Sequence, residues 1–267
     1  MSTFESFKAK RKESDYIMPL WLAFLPIIIG IVGGVIIGIF YAVAFFSSVS
    51  MISGFNSTLI TNGTIVTTPV TTTASTIPSI YSIIGIFLVP SILMGVIYYV
   101  IIGYVIYRLI KRYNDHVIRV RGLFNSANFD GRLNGAIGEM EMLQKKDPME
   151  WAVIIGVLGI IPFLSIISLI LGAYIFHSLN KDFYRLEYIE NNAYVQLGWK
   201  GERYNKIPNR STILYIVLTI VTLGLFGLYW VYTIVQDPNE HFKEDWRIED
   251  SITPPSAESV KPTTGAE

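Results

Sequence analysis

IMPLWLAFLPIIIGIVGGVIIGIFYAVAFF, residues 17–46, contains no ionisable acid or base other than one tyrosine. It lies in a longer tract, Tyr16 to Tyr107, in which 92 residues pass without a Lys, Arg, Asp or Glu, although charges make up 16% of the chain. The loops of a water-soluble fold run over its surface and carry ions there, so such a tract reads as membrane-embedded. Two shorter charge-free runs follow, 152–180 (29 residues) and 211–236 (26 residues). Each exceeds the roughly 20 apolar residues that a bilayer-spanning helix needs.

With 267 residues, 51% of them apolar, the chain has room for one membrane domain with modest polar connections. Its longest polar segments, about 30 to 40 residues, fall below the size at which a lone core is usually stable. Zero net charge provides no basic surface for nucleic acid. Zero Cys removes disulfides, thiolate metal sites and thiol catalysis together. The basic start (Lys8, Lys10, Arg11, Lys12) followed by an apolar run is shaped like a secretory signal. That run is about 30 residues, too long for a cleaved core of 7–15, and reads as a first span.

Between Phe46 and Ser79 the charge-free tract becomes rich in Thr and Ser, with Pro69, Pro78 and the turn dipeptide Asn62-Gly63. This predicts two spans, 16–46 and 80–110, joined by an external loop, 47–79. Lys and Arg lie before the first span and after the second (Arg108, Lys111, Arg112, Arg119, Arg121), which places residues 1–15 and 111–147 in the cytoplasm. The loop carries two sequons, at Asn56 and Asn62, candidates for glycosylation. Thr58-Leu-Ile-Thr and Thr64-Ile-Val-Thr flank Asn62-Gly63 and predict a β-hairpin, with a mobile Thr-rich stalk as the alternative.

The two remaining runs predict spans at 148–178 and 211–236, with a charged loop, 179–210, between them. Asp147-Pro148-Met149-Glu150 has the form of a helix start, an Asp cap before a first-turn Pro and a Glu. Asp237-Pro238-Asn239-Glu240 repeats it and predicts a separate interfacial helix, 237–247, with Phe242 and Trp246 towards lipid. Residues 132–146 predict a cytoplasmic amphipathic helix with Leu133, Ile137 and Met140 on one side and Glu139 and Glu141 on the other. The Pro-containing tail, 248–267, is expected to be disordered and cytoplasmic. Four spans would put loop 179–210 outside, yet it holds Lys181, Arg185, Lys200, Arg203, Lys206 and Arg210. The rival arrangement makes the last two runs re-entrant hairpins, broken near Pro162 and Thr222-Leu-Gly224, and returns that loop to the cytoplasm. Four spans are the leading expectation.

Tyr104-Val-Ile-Tyr107-Arg-Leu-Ile-Lys-Arg-Tyr-Asn114-Asp115-His116 and Tyr229-Trp-Val-Tyr232-Thr-Ile-Val-Gln-Asp-Pro-Asn239-Glu240-His241 share a pattern at a constant offset of 125. A tandem two-helix repeat follows, so the fold class expected is an all-α membrane protein of four transmembrane helices in duplicated pairs, plus cytoplasmic amphipathic helices. Pseudo-symmetry would bring His116 and His241 together, with Asp115 and Glu240 as oxygen donors to a metal. Neither half completes a ligand spacing alone. The simpler reading gives Asn114, His116, Asn239 and His241 the task of bonding carbonyls freed at their own helix ends. No metal and no cofactor is therefore expected.

Gly30, Gly34 and Gly38 recur every fourth residue of the first span, a stripe suited to close helix packing. No Asp, Glu, Lys or Arg lies in the apolar cores of the spans, which disfavours proton relays, ion-coupled carriers and voltage sensors. Nucleophile-elbow, zinc-protease, phosphate-loop and dinucleotide signatures are missing too. Thr222-Leu-Gly224-Leu-Phe226-Gly227-Leu-Tyr229-Trp230, followed by Pro238-Asn239-Glu240-His241-Phe242, resembles a family of small prokaryotic, often archaeal, integral membrane proteins of unknown function. The family's mark is T-x-G-[IF]-Y-G-x-Y-W; Phe226 stands where it usually has Tyr. The resemblance implies a membrane protein and transfers no catalytic residue. The function expected is a non-enzymatic, multi-pass scaffold or subunit of a membrane or envelope assembly, with both termini cytoplasmic. Its partners would be the lipid bilayer, itself or other membrane proteins. The alternative is a pore or facilitator for small or uncharged solutes.

Overall fold

A computed structural model describes residues 3–53, 60–61, 64–65, 80–143 and 146–252. These residues are almost entirely helical. In order they form α1 (Thr3–Ala9), α2 (Arg11–Ser14), α3 (Leu20–Ser53), β1 (Ile60–Thr61), β2 (Thr64–Ile65), α4 (Ile80–Ala127), α5 (Asn134–Glu141), α6 (Pro148–Ile160), α7 (Ser165–Gln196), α8 (Thr212–Val221) and α9 (Leu225–Ser251). The chain divides into two compact units, residues 26–100, and residues 1–25 together with 101–267.

Two helices are long and apolar enough to cross a membrane, Leu20–Phe46 and Leu88–Ala127, their most apolar windows having mean hydropathies of 2.7 and 2.1. Only 22% and 17% of their most apolar windows are buried, the reverse of a soluble core helix. Within the 26–100 unit, a Cβ placed at Gly30 would touch the Tyr98 ring at 3.4 Å. One at Gly33 would overlap the Met94 methyl at 2.3 Å, the far end of a flexible side chain that can move aside. At Gly34 and Gly38 a Cβ would meet nothing within 4 Å among the described residues. Of the expected stripe Gly30, Gly34 and Gly38, only Gly30 meets a neighbouring side chain among the described residues, and Gly33 lies outside that stripe. Strands β1 and β2 pair antiparallel, Ile60 opposite Ile65 and Thr61 opposite Thr64, in the register the Asn62-Gly63 turn predicts. Asn56 and Asn62, the glycosylation candidates, lie outside the described residues.

The other unit departs from the four-span expectation. Run three is two helices, α6 and α7, because Pro162 pushes Ile161 out of the helical region to φ −86°, ψ 113°. The main-chain N–H groups of Leu164 and Ser165 then turn back to the Ile161 carbonyl, at 2.9 and 3.0 Å. Run four breaks after α8, where Leu223 (φ 51°) and Gly224 (φ 95°) both take left-handed conformations. Gly224 N–H donates to the Thr219 carbonyl (2.7 Å) and Leu223 N–H to that of Ile220 (3.1 Å), a paired closure that ends α8. Each break makes an antiparallel hairpin: Ser168 Oγ donates to the Ile155 carbonyl across one, and Tyr215 meets Trp230 edge-on across the other. Helices of 13 and 10 residues are about 20 and 15 Å long, well short of the ~30 Å hydrocarbon layer.

Both ends of each hairpin return to one polar assembly. Lys146 Nζ meets Asp182 at 2.6 Å, His116 meets Glu190 at 3.0 Å, and Arg210 binds Asp237 at 2.5 Å. Residues 179–210 are therefore packed against 111–147 and 237–252.

Two further expectations change. The 237–247 segment is no separate interfacial helix, because α9 runs through Pro238 to Ser251 and Phe242 is fully buried in the core. Asp237 does not cap it; its carboxylate is bound by Arg210. Residues 248–251 belong to α9, with Ile248 and Glu249 buried, rather than to a disordered tail; 253–267 lie outside the described residues. The start of α6 is as expected, with Asp147 Oδ1 accepting from the N–H groups of Met149 (2.8 Å) and Glu150 (2.9 Å). The 132–146 helix contracts to α5, which buries Ile137 and Met140 and exposes Glu139 and Glu141.

Pro238 has no N–H to offer the Ile234 carbonyl one turn earlier. The buried Arg112 guanidinium takes that place, donating to the Ile234 carbonyl at 2.7 Å, to the Val235 carbonyl at 3.4 Å and to Asn239 Oδ1 at 3.2 Å. Asn239 in turn brackets Met18, accepting from its N–H (3.0 Å) and donating to its carbonyl (2.8 Å). This tie fixes the chain just before α3 against α9.

Candidate functional site

Three helices and two non-helical segments converge on a cluster of charge inside the unit formed by residues 1–25 and 101–267. Helix α4 supplies His116 and Arg119, α7 supplies Glu187, Glu190 and Tyr194, and α9 supplies His241, Asp245 and Glu249. Asp15 follows α2, and Tyr204 comes from the segment before α8. The spacings i, i+3, i+7 on α7 and i, i+4, i+8 on α9 keep each set on one helix face. His116, Glu190, His241 and Asp245 are fully buried. Phe242 packs on His116 and Phe183 meets His241 edge-on, their ring centroids 4.4 and 6.1 Å apart.

Charge of this kind persists in a core only when paired. His116 Nδ1 lies 2.9 Å from Asp15 Oδ1, and its Nε2 lies 3.0 Å from Glu190 Oε1 and 3.4 Å from Asp245 Oδ2. His241 Nδ1 lies 3.5 Å from Glu187 Oε1, and its Nε2 lies 3.0 Å from Glu190 Oε2 and 3.4 Å from Asp245 Oδ2. Arg119 bridges Asp15 and Glu249, each at 2.7 Å. Tyr204 donates its hydroxyl to Asp245 Oδ1, and Trp246 Nε1 donates to Asp15 Oδ2 at 2.7 Å. Glu187 also accepts from the main-chain N–H groups of Lys206 (2.7 Å) and Ile207 (3.1 Å), holding the loop before α8.

Burial opposes charge throughout, and the neighbours decide each outcome. For Glu190 burial is outweighed by His241 and His116, which hold the carboxyl down to about 2. For His241 burial is outweighed by Asp245 and Glu190, which lift the imidazole to about 10. Asp15 is held well below the usual carboxylate range, His116 and Arg119 overcoming its burial. Asp245 is shifted upward, by burial first and then by Glu190.

Glu249 is shifted upward as well, because burial prevails over an Arg119 shared with Asp15 and raises the carboxyl to about 7. A folded-state value above the ordinary 4.5 means that the folded chain keeps a proton the unfolded chain has lost. The stability this contributes is complete below about 4.5 and is lost as pH rises through about 7. Unfolding midpoints measured across that window are expected to fall with rising pH in the wild type. In Glu249→Gln the fall should be shallower.

The repeat correctly pairs the two histidines, whose ring centroids lie 5.4 Å apart. Its acidic partners do not join them. One residue of offset turns a helical side chain about 100° away. Asp115 accordingly pairs with Lys111 at 2.8 Å, and Glu240 with Lys243 at 2.9 Å. Neither histidine ends its own helix, and both asparagines bind other segments: Asn114 Nδ2 donates to the Lys146 carbonyl at 2.7 Å, and Asn239 to that of Met18. The carbonyl-capping role is thus corrected to a cross-segment one. Sequence reasoning does not reach Glu190, Asp245 and Asp15. The available signal is carboxylates at 187 and 190 set inside the apolar stripe Leu179, Phe183, Leu186, and His241 four residues before Asp245.

The Thr222–Trp230 motif is the α8–α9 turn. Thr222 Oγ1 donates to the Leu218 carbonyl (2.7 Å) and accepts from Phe226 N–H (2.9 Å). Gly224 supplies the left-handed φ, and a Cβ at Gly227 would press on Thr219 Cγ2 at 3.2 Å. Trp230 is buried against Phe176 and Tyr215, while Tyr229 stacks on Tyr232.

The described residues are thus almost entirely helical, with two helices long and apolar enough to cross a membrane, two short apolar hairpins and a buried cluster of charge. A family model for a domain of unknown function (DUF4234) matches residues 210–252, the stretch containing α8, its turn and α9. No curated protein and no solved structure matches the chain.

Proposed function

We propose that the chain is a multi-pass, non-enzymatic scaffold or subunit of a membrane assembly, with α3 and α4 crossing the bilayer and the α6–α7 and α8–α9 hairpins dipping into it from the cytoplasmic side. The observation that carries this reading is the pair of hairpin tips. Phe163 is 91% exposed and Leu223 94% exposed. Leu223 also holds a left-handed φ of 51°, a conformation that costs a non-glycine residue about 1–2 kcal/mol. A leucine kept at such a position, with its side chain outward, fits contact with acyl chains and makes little sense in water. Ile213, Ile220 and Val221 on α8, and Ile166, Leu169 and Ile170 on α7, extend the same apolar surface.

Re-entrant hairpins put Lys181, Arg185, Lys200, Arg203, Lys206 and Arg210 on the cytoplasmic side, in line with the bias that places residues 1–15 and 111–147 there. The reciprocal ties of Asn114 to residue 146 and Asn239 to residue 18 support descent from a duplicated unit. Full burial of the charged cluster favours a structural role over catalysis, since a substrate would have no route to it. Purification in a mild detergent is expected to yield the chain in an assembly larger than one copy. A strictly lone monomer, without any co-purifying protein, would contradict the scaffold reading.

A further inference from the structure

We propose that His116, Glu190, His241 and Asp245 form a buried site for one divalent transition-metal ion, with Zn2+ the occupant that best fits its donors. One ligand atom from each residue lies within 4.8 Å of all the others. A tetrahedral ion with bonds of about 2.0–2.1 Å needs donors separated by about 3.3 Å. His116 Nε2 and His241 Nε2 both stand 3.4 Å from Asp245 Oδ2, close to that spacing, and Glu190 turns one oxygen to each of them, Oε1 to His116 and Oε2 to His241, both at 3.0 Å.

A second, independent observation concerns direction. His241 Nε2, Glu190 Oε2 and Asp245 Oδ2 are buried without a hydrogen-bond partner among the described residues. The first two are nevertheless only 3.0 Å apart. They are near each other yet not aimed at each other, the arrangement of atoms that share a third partner.

The surroundings are those of a ligand shell. A metal-bound histidine characteristically presents its other nitrogen to a carboxylate. His116 Nδ1 is hydrogen-bonded to Asp15 at 2.9 Å, whereas His241 Nδ1 lies 3.5 Å from Glu187 without a hydrogen bond; both Nε2 atoms are turned inward. Asp245 is anchored through its second oxygen by Tyr204, and Asp15 is anchored by Arg119 and Trp246. Two imidazoles among four donors suit Zn2+ or a neighbouring first-row ion and not Ca2+ or Mg2+, which favour more oxygens. An ion of charge +2 replacing the protons of two imidazolium rings leaves the cluster's net charge unchanged. Because the four ligands are sealed, the ion would be structural, joining α4, α7 and α9. This does not depend on the scaffold reading.

The test uses the full chain in mild detergent, stripped with a chelator, dialysed, and given Zn2+ or Co2+ alone. Elemental analysis is expected to find one Zn2+ per chain, and metal return should raise the unfolding midpoint. Co2+ should give the intense visible bands of four-coordinate cobalt. Asp115→Asn and Glu240→Gln should bind as the wild type does, and His241→Gln should not. Two results would overturn the proposal. One is a wild-type chain, folded by circular dichroism, that takes up neither ion and keeps its unfolding midpoint, which leaves only a hydrogen-bonded ion network. The other is full retention of zinc by a folded His116→Gln/His241→Gln variant.

Discussion

Replacing Arg119 with Leu is expected to lower folding stability by about 3–5 kcal/mol, the cost of breaking a buried ion pair by removing one partner. Arg119 is the common partner of Asp15 and Glu249, both at 2.7 Å and both buried. Its loss takes the cationic partner from Glu249 and one of two from Asp15. Asp15 retains His116 and Trp246, so the heavier loss falls on Glu249. Glu249→Gln in the Arg119→Leu background should therefore recover part of the deficit. Asp250→Asn in the same background, at a half-exposed ion pair next along the chain, should recover none of it. Chemical unfolding of the wild type and the three variants in one detergent would measure both effects.

Asn239→Leu should be nearly as damaging, by about 3 kcal/mol, since three buried hydrogen-bonding groups lose their partner and each costs about 1–3 kcal/mol when left unsatisfied. Those groups are Met18 N–H, the Met18 carbonyl and one Arg112 N–H. Asn114 occupies the matching position of the repeat but makes a single bond, to the Lys146 carbonyl. Asn114→Leu is accordingly expected to cost about 1 kcal/mol. Equal losses in the two variants would show that the repeated asparagines share one role. Thermal unfolding of the two variants against the wild type makes the comparison.

Much of this architecture is legible in the residues. The charge-free Tyr16–Tyr107 tract points to α3 and α4, Asn62-Gly63 to the β1–β2 pairing, Asp147-Pro148 to the start of α6, and the 125-residue offset to the meeting of His116 with His241. The rest is hidden for physical reasons. A run of 26 or 29 apolar residues has the same hydropathy whether it crosses once or turns back, so only Pro162 and Gly224 distinguish the two outcomes. Asp15 and Glu190 reach the histidines through tertiary packing across 101 and 74 residues of sequence, beyond any local pattern. Asp115 and Glu240 stand beside the histidines in the chain, and one step of helix rotation sends them to the surface instead.

The proposed re-entrant arrangement requires residues 179–210 to share a side of the membrane with 111–147. Since the chain has no Cys, single cysteines at Thr73, Glu139 and Lys200 can be labelled in intact cells with an impermeant maleimide. Labelling at residue 73 alone, with 139 and 200 reacting only after the membrane is opened, is the result predicted. Labelling at 200 in sealed cells would contradict it and restore four crossings.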